Sequence, residues 1–182
     1  MGGWYTDRLD IIDSIVEWHQ TKAPVAAGVI DAGKVVPEIK TSLDASLFNA
    51  PEELQRAYFD DVLQVACEEY IKLYPMCNFY SAWRVTDDCN IQYYPPGGGF
   101  YKWHSERTSA MHPSATRHLV FMTYLNDVPE DGETEFYHQN VKIKPEKGLT
   151  VIWPSDWTFT HRGLPSQHDK FIATGWWNFT DD

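Results

Sequence analysis

Arg117-His118-Leu119-Val120-Phe121-Met122-Thr123-Tyr124-Leu125-Asn126 reads as one β-strand that runs into a turn. Aromatic and β-branched residues fill it, and Asn126-Asp127 closes it. The rest of the chain beyond Trp83 has the same texture. Strands are expected at 90–94, 101–106, 117–125, 134–137, 141–144, 149–153, 158–161 and 170–178. Turn signals separate them: Pro95-Pro96-Gly97-Gly98-Gly99, Asp131-Gly132, Lys147-Gly148 and Pro154-Ser155. Short strands at this spacing point to a sandwich or jelly roll. Such architectures suit a small ligand held between two sheets.

Before Trp83 the period changes to that of helices. Leu9, Ile12, Ile15 and Val16 keep helical spacing, with Thr6 or Asp7 as the cap. Pro51 opens a longer helix whose apolar stripe is Leu54, Tyr58, Val62, Val65, Ala66 and Leu73, and Pro75 ends it. These helices read as a brace against a sheet. The expectation is a mainly β protein with N-terminal helices (α+β), as one domain over 1–182. Within it, 1–82 forms the helical brace and lead-in strands, and 83–182 the β core.

Composition supports a folded chain. Of 182 residues 43% are hydrophobic and 23% charged, enough for a single core. Eight Trp and 15% aromatic residues fit a sheet-rich core and an aromatic-lined pocket. A net charge of −11 is a poor match for a non-specific nucleic-acid binder, and disfavours anionic membrane surfaces. Cys67, Cys77 and Cys89 match no zinc spacing and read as reduced, core-packing thiols. Asp7, Arg8, Asp10, Asp13 and Glu17 interrupt any signal-peptide apolar region, and no stretch approaches the length of a membrane span. A cytoplasmic location is expected.

His104 and Glu106 are two residues apart, so in a strand both would face one side. His161 sits at the end of another expected strand. Two imidazoles and a carboxylate make a facial triad with open positions, the arrangement of non-haem iron(II) oxygenases. A lone His-x-Glu is a weak signal. His19, His112, His118, His138 and His168 read as surface or hydrogen-bonded histidines. No Gly-x-Ser-x-Gly elbow or phosphate loop is present, and Gly97-Gly98-Gly99 reads as a mobile loop near a substrate mouth.

The surroundings of the triad strengthen it. Tyr94-Pro95, a Gly-rich turn and His104-Ser105-Glu106 come first. The strand 117–126 follows, then Asp131-Gly132-Glu133-Thr134-Glu135-Phe136. His161-Arg162-Gly163-Leu164-Pro165, Lys170 and Trp176 complete the order. From Gln92 to Trp177 the chain resembles the prolyl 4-hydroxylase-like branch of the iron(II)/2-oxoglutarate-dependent oxygenases. The resemblance implies a double-stranded β-helix, Fe(II), 2-oxoglutarate as co-substrate and O2, and allows ascorbate as an accessory. It implies His104, Glu106 and His161 as ligands, and Lys170 as partner of the distal carboxylate of 2-oxoglutarate. Tyr124 would hydrogen-bond that same carboxylate, and Tyr94 would lie near the metal-chelating end. Thr174, on the face of Lys170 by alternation, is a further lining residue. Arg117 and Trp176 would flank a target proline. The plainer alternatives are a lysine snorkelling at a strand end, core tyrosines and tryptophan, and a surface ion pair.

One departure stands out: the family has His-x-Asp, whereas this chain has Glu106. The carboxylate is kept, which favours hydroxylation over halogenation. The expected activity is hydroxylation of a C–H bond, most readily of a peptidyl proline, with release of succinate and CO2. The alternatives are a different substrate (free amino acid, other side chain or nucleobase) and a non-catalytic metal- or peptide-binding module.

Overall fold

The computed structural model describes residues 1–30 and 33–180; residues 31, 32, 181 and 182 lie outside the described residues. Thirteen strands are present among them: β1 (Gly2–Tyr5), β2 (Ala26–Ala27), β3 (Lys40–Thr41), β4 (Leu43–Ser46), β5 (Trp83–Val85), β6 (Asn90–Tyr94), β7 (Gly99–His104), β8 (Arg117–Tyr124), β9 (Thr134–Phe136), β10 (Val141–Ile143), β11 (Leu149–Pro154), β12 (His161–Gly163) and β13 (Lys170–Phe179). They form two antiparallel sheets. The larger runs β1-β11-β8-β13-β6-β4-β2, with β5 also on β13; the smaller runs β10-β9-β12-β7-β3. This is a jelly roll, mainly β, as the turn spacing predicted.

The strand 117–124 lies near the centre of the larger sheet, between β11 and β13. It is apolar in near-continuous sequence because both its faces are covered. Leu119 and Phe121 face the helices, together with Ile91, Ile152, Phe171, Ala173 and Trp177. Val120, Met122 and Tyr124 face the second sheet, together with Val151, Trp153 and Ile172, and share a core there with Phe136 of β9. The functional cavity opens on this inner side.

The helical brace is α1 (Leu9–Thr21), α2 (Glu52–Arg56) and α3 (Gln64–Leu73). Neither Thr6 nor Asp7 caps α1: Arg8 stands at the N-cap with no side-chain cap bond, and the Thr6 hydroxyl accepts from the Arg8 N–H at 3.0 Å in the turn before it. The stripe of α1 that meets the sheet is Ile11, Ile12, Ile15 and Trp18, whereas Leu9 is exposed. Between α2 and α3 the chain keeps winding as a π-helix, Ala57–Leu63. A wider turn shifts the phase of everything after it. Tyr58, Val62, Ala66 and Tyr70, four apart each time, stay on the buried face, while Val65 and Leu73 turn outward.

Two further expectations, on β7 and on residues 158–161, are corrected. β7 ends at His104, so Glu106 lies in a bend beyond the strand. Residues 157–159 are a 3-10 turn closed by Phe159 N–H to Asp156 O (2.9 Å) and Thr160 N–H to Trp157 O (3.0 Å), and His161 opens β12 instead of ending a strand. His19 is buried in the core, edge-on to Phe171 at 5.5 Å. The other four histidines are exposed or, like His118 against the Cys77 carbonyl, half-buried and hydrogen-bonded. Cys67 and Cys89 are buried, and all three cysteines are free thiols. No helix among the described residues is long and apolar enough to cross a membrane.

Candidate metal centre and co-substrate pocket

β7 and β12 are neighbours, and their register sets His161 opposite His104. Each imidazole is pinned from behind. Nδ1 of His104 meets the Lys102 carbonyl at 2.9 Å, and Nδ1 of His161 meets the Phe159 carbonyl at 2.9 Å. A proton held on Nδ1 leaves Nε2 with its lone pair free, as a metal ligand requires. The His104 ring also lies flat on Phe100, centroids 3.8 Å apart.

Glu106 completes the cluster from the bend. Its N–H bonds the Ser155 carbonyl at 3.2 Å, which ties the bend to the end of β11. Oε1 sits 3.6 Å from Nε2 of His104 and 3.4 Å from Nε2 of His161. One donor atom from each of the three residues falls within a group no more than 4.8 Å across, which one ion can bridge. The added methylene of glutamate offsets the departure of the backbone from the strand. Burial pushes the Glu106 carboxyl up, but the two histidines and Arg117 outweigh it and hold it near about 2. Burial, with the like charge of His161, pulls His104 down to about 4. An ionised carboxylate beside neutral imidazole is the donor set a divalent cation takes.

The cluster opens into a cavity of about 730 Å3 between the sheets, within the size range of small-molecule sites. Lys170, at the start of β13, reaches into the same cavity and is only 3% exposed. Its ammonium donates to the carbonyls of Gly132 (2.9 Å) and Leu164 (3.4 Å) and lies over the Tyr94 ring at 4.8 Å. Among the described residues no carboxylate comes within ion-pairing distance of it. Burial pulls its pKa down to about 8, with Glu133 pulling weakly the other way. A buried cation without a counter-ion is costly, and the cavity beside it is where an anionic group would relieve that cost. Space is kept open there: a Cβ on Gly163 would sit 3.7 Å from Nζ of Lys170. These residues therefore fit both a metal ion and a dicarboxylate reaching from it.

Tyr94, Thr174, Arg117 and Trp176 all line this cavity. The Tyr94 hydroxyl donates to Oε1 of Gln92 at 2.6 Å, and the Thr174 hydroxyl donates to the Phe121 carbonyl at 2.9 Å. Tyr124 is placed differently. It is fully buried behind the wall, with its hydroxyl 2.7 Å from Oγ1 of Thr134 and 3.2 Å from the Ile143 carbonyl. Thr134 is the lining residue there, and its position opposite Val141–Ile143 was not legible from spacing. Arg117 and Trp176 are paired: the guanidinium lies 3.6 Å from the indole centroid. The loop 95–99 does not line the cavity, being held by Gly97 N–H to the Ser166 carbonyl, whereas Thr108, Ser109, Pro113 and Ser114 do line it. Sequence reading also missed Lys40 and Asp44, an ion pair at 2.6 Å on the cavity wall.

Residues 89–178 match the family model of the 2OG-Fe(II) oxygenase superfamily. No curated protein sequence matches the chain. Solved structures with the same fold include a viral collagen prolyl hydroxylase of Paramecium bursaria Chlorella virus-1 in complex with 2-oxoglutarate. It is 19% identical, with 98% of this chain and 96% of that one covered and a TM-score of 0.73. A prolyl-4-hydroxylase of Pseudomonas putida is 16% identical, covering 98% and 92%, at 0.71. A Trichoplax adhaerens prolyl hydroxylase, solved with a hypoxia-inducible-factor peptide, is 16% identical, covering 93% and 77%, at 0.72. The family match over residues 89–178, just under half of the chain, and the shared fold together support an Fe(II)- and 2-oxoglutarate-dependent dioxygenase of prolyl 4-hydroxylase-like fold.

Proposed function

We propose that the enzyme hydroxylates a peptidyl proline, with His104, Glu106 and His161 holding the iron and Lys170 the distal carboxylate of 2-oxoglutarate. The observation that carries the site assignment is the shared cavity: three convergent donors at one end, and at the other a buried ammonium with no carboxylate partner among the described residues. When bound, iron(II) with 2-oxoglutarate and O2 supplies the oxidising power for a C–H bond, the co-substrate leaving as succinate and CO2.

The rest falls to the chain. His104, Glu106 and His161 would hold the ion through three protein donors, which would leave it room for further ligands. Lys170 fixes the far end of the co-substrate, with Tyr94 and Thr174 as side walls. Thr134 takes the place beside that carboxylate which the resemblance gave to Tyr124. Met122, Ile172 and Phe100 keep this part of the cavity apolar, which strengthens the Lys170–carboxylate attraction.

Support for proline comes from the Trp176 ring on the cavity wall, a flat apolar surface for a pyrrolidine, and from the prolyl hydroxylases that share the fold. A free amino acid is the second reading. It is favoured by Lys40 and Asp44, which set one charge of each sign on the cavity wall. The test is succinate release with proline-containing peptides against free amino acids, with product mass measured. Peptide-stimulated turnover and a one-oxygen mass gain on proline support the first reading. Stimulation by free amino acids alone would replace it with the second.

A further inference from the structure

We infer that Trp176, with Arg117 stacked on it, is a positioning residue for Glu106: together they hold one carboxylate oxygen so that the other is aimed at the two imidazoles. This rests on the reading of His104, Glu106 and His161 as the metal site.

Glu106 needs such a device. It stands in a bend beyond β7, so strand alternation does not direct its side chain. Glutamate also has one more rotatable bond than aspartate, and more freedom to lose when its carboxylate is fixed. The structure supplies the missing restraint from two other strands. Nε1 of Trp176, on β13, donates to Oε2 of Glu106 at 3.1 Å. Nη1 of Arg117, on β8, reaches Oε2 at 3.3 Å and the Glu106 carbonyl at 3.1 Å. Oε1 is left facing Nε2 of both histidines. The two oxygens thus have separate duties.

Arg117 is itself held. Its guanidinium lies on the Trp176 ring at 3.6 Å, and Nε is 3.9 Å from Asp87. A cation stacked on an aromatic face, bonded to one carboxylate and beside a second, has little freedom left. With its indole N–H committed to Glu106, Trp176 can offer a substrate its ring but not its donor. The pair therefore couples the substrate wall to the metal ligand. An aspartate at 106 would be too short to sit between the histidines and still meet Trp176 from this bend.

The test is metal binding in the absence of any substrate. Anaerobic Co(II) titrations, read by the visible ligand-field spectrum, would compare the parent with Trp176→Phe, Glu106→Asp and the double variant. Phenylalanine keeps an aromatic wall and removes only the donor. The expected result is an affinity lower by about tenfold to a hundredfold in Trp176→Phe, the usual range when a partner of a metal ligand is lost. Trp176→Phe is expected to add no further loss in the Glu106→Asp background, where there is no bond to break. Arg117→Lys serves as a second variant, expected to weaken binding with the Trp176 ring in place. Parent-like Co(II) affinity and spectrum in both Trp176→Phe and Arg117→Lys would overturn the positioning role and leave the metal-site reading intact. If the parent binds no Co(II), the metal-site reading falls and takes the inference with it.

Discussion

Nζ of Lys170 lies 2.9 Å from the carbonyl oxygen of Gly132, and that carbonyl is presented by a left-handed turn. Asp131 and Gly132 both have positive φ, 58° and 75°. A carbonyl is a neutral acceptor, so the contact satisfies one donor of the ammonium without cancelling its charge. The Lys170 end of the cavity is thus built by a turn and by the start of β13.

Replacing the lysine by an apolar chain of similar length separates its two effects. Lys170→Met is expected to weaken 2-oxoglutarate binding by about 30-fold or more, the equivalent of ~2 kcal/mol for a lost buried charge pair. It is also expected to raise the stability of the ligand-free protein by about 1 kcal/mol near neutral pH, because an uncompensated buried charge is gone. Calorimetric titration and denaturant melts check the two halves.

The same lysine sets a pH dependence. Its pKa in the folded protein is lowered by burial to about 8, so the ammonium costs stability below that value, and the cost fades as pH rises towards the unfolded value. An anionic ligand selects the protonated form. Affinity for 2-oxoglutarate should therefore be flat below about pH 8 and fall above it, by up to about tenfold per pH unit. A binding series on either side of pH 8 measures this, and Lys170→Met should flatten the profile.

The turn can be tested independently. Gly132→Ala puts a Cβ on a backbone with φ of 75°, and it also approaches Ser166 and Val128 at 3.3 Å. A loss of about 1 kcal/mol or more in stability is expected, with weaker 2-oxoglutarate binding because the carbonyl facing Lys170 is displaced. Thermal melts with and without co-substrate give both numbers.

Tyr124 and Thr134 make a contrasting pair. The Tyr124 hydroxyl faces Thr134 and Ile143, not the cavity. Tyr124→Phe is expected to cost about 1 kcal/mol of stability from the lost buried bond, with 2-oxoglutarate affinity changed little. Thr134→Val, which alters the wall itself, is expected to weaken binding more. The order of the two affinities, measured in one buffer, decides the matter.

What the sequence made legible depended on length and burial. β8 and β13 are long and apolar, and both were readable with nearly their observed ends. The strands β1 to β4, two to four residues each, are too short to show a period; β1, β3 and β4 pair with the longer β11, β7 and β6, and β2 adds to β4. Lys40 and Asp44 were invisible for the same reason, since β3 and β4 carry them to the cavity. The π-helical stretch 57–63 moved Val65 and Leu73 out of the stripe that a regular helix predicts. At the site, His104, Glu106 and His161 were found by residue type and order, but the strand-alternation argument for Glu106 was not the reason they meet. A bend fixed to Ser155 and the bonds from Trp176 and Arg117 bring it there, and those contacts span up to 70 positions of sequence.

In the proposed site one cavity holds iron(II) on His104, Glu106 and His161 with 2-oxoglutarate reaching to Lys170. An anaerobic titration of the metal-free protein with Fe(II) and 2-oxoglutarate tests it most directly, through the visible metal-to-ligand charge-transfer band. The expected band needs both additions, disappears on chelation and is absent in His161→Ala. A protein that binds Fe(II) and 2-oxoglutarate yet gives no band, or a band that survives in His161→Ala, would contradict it.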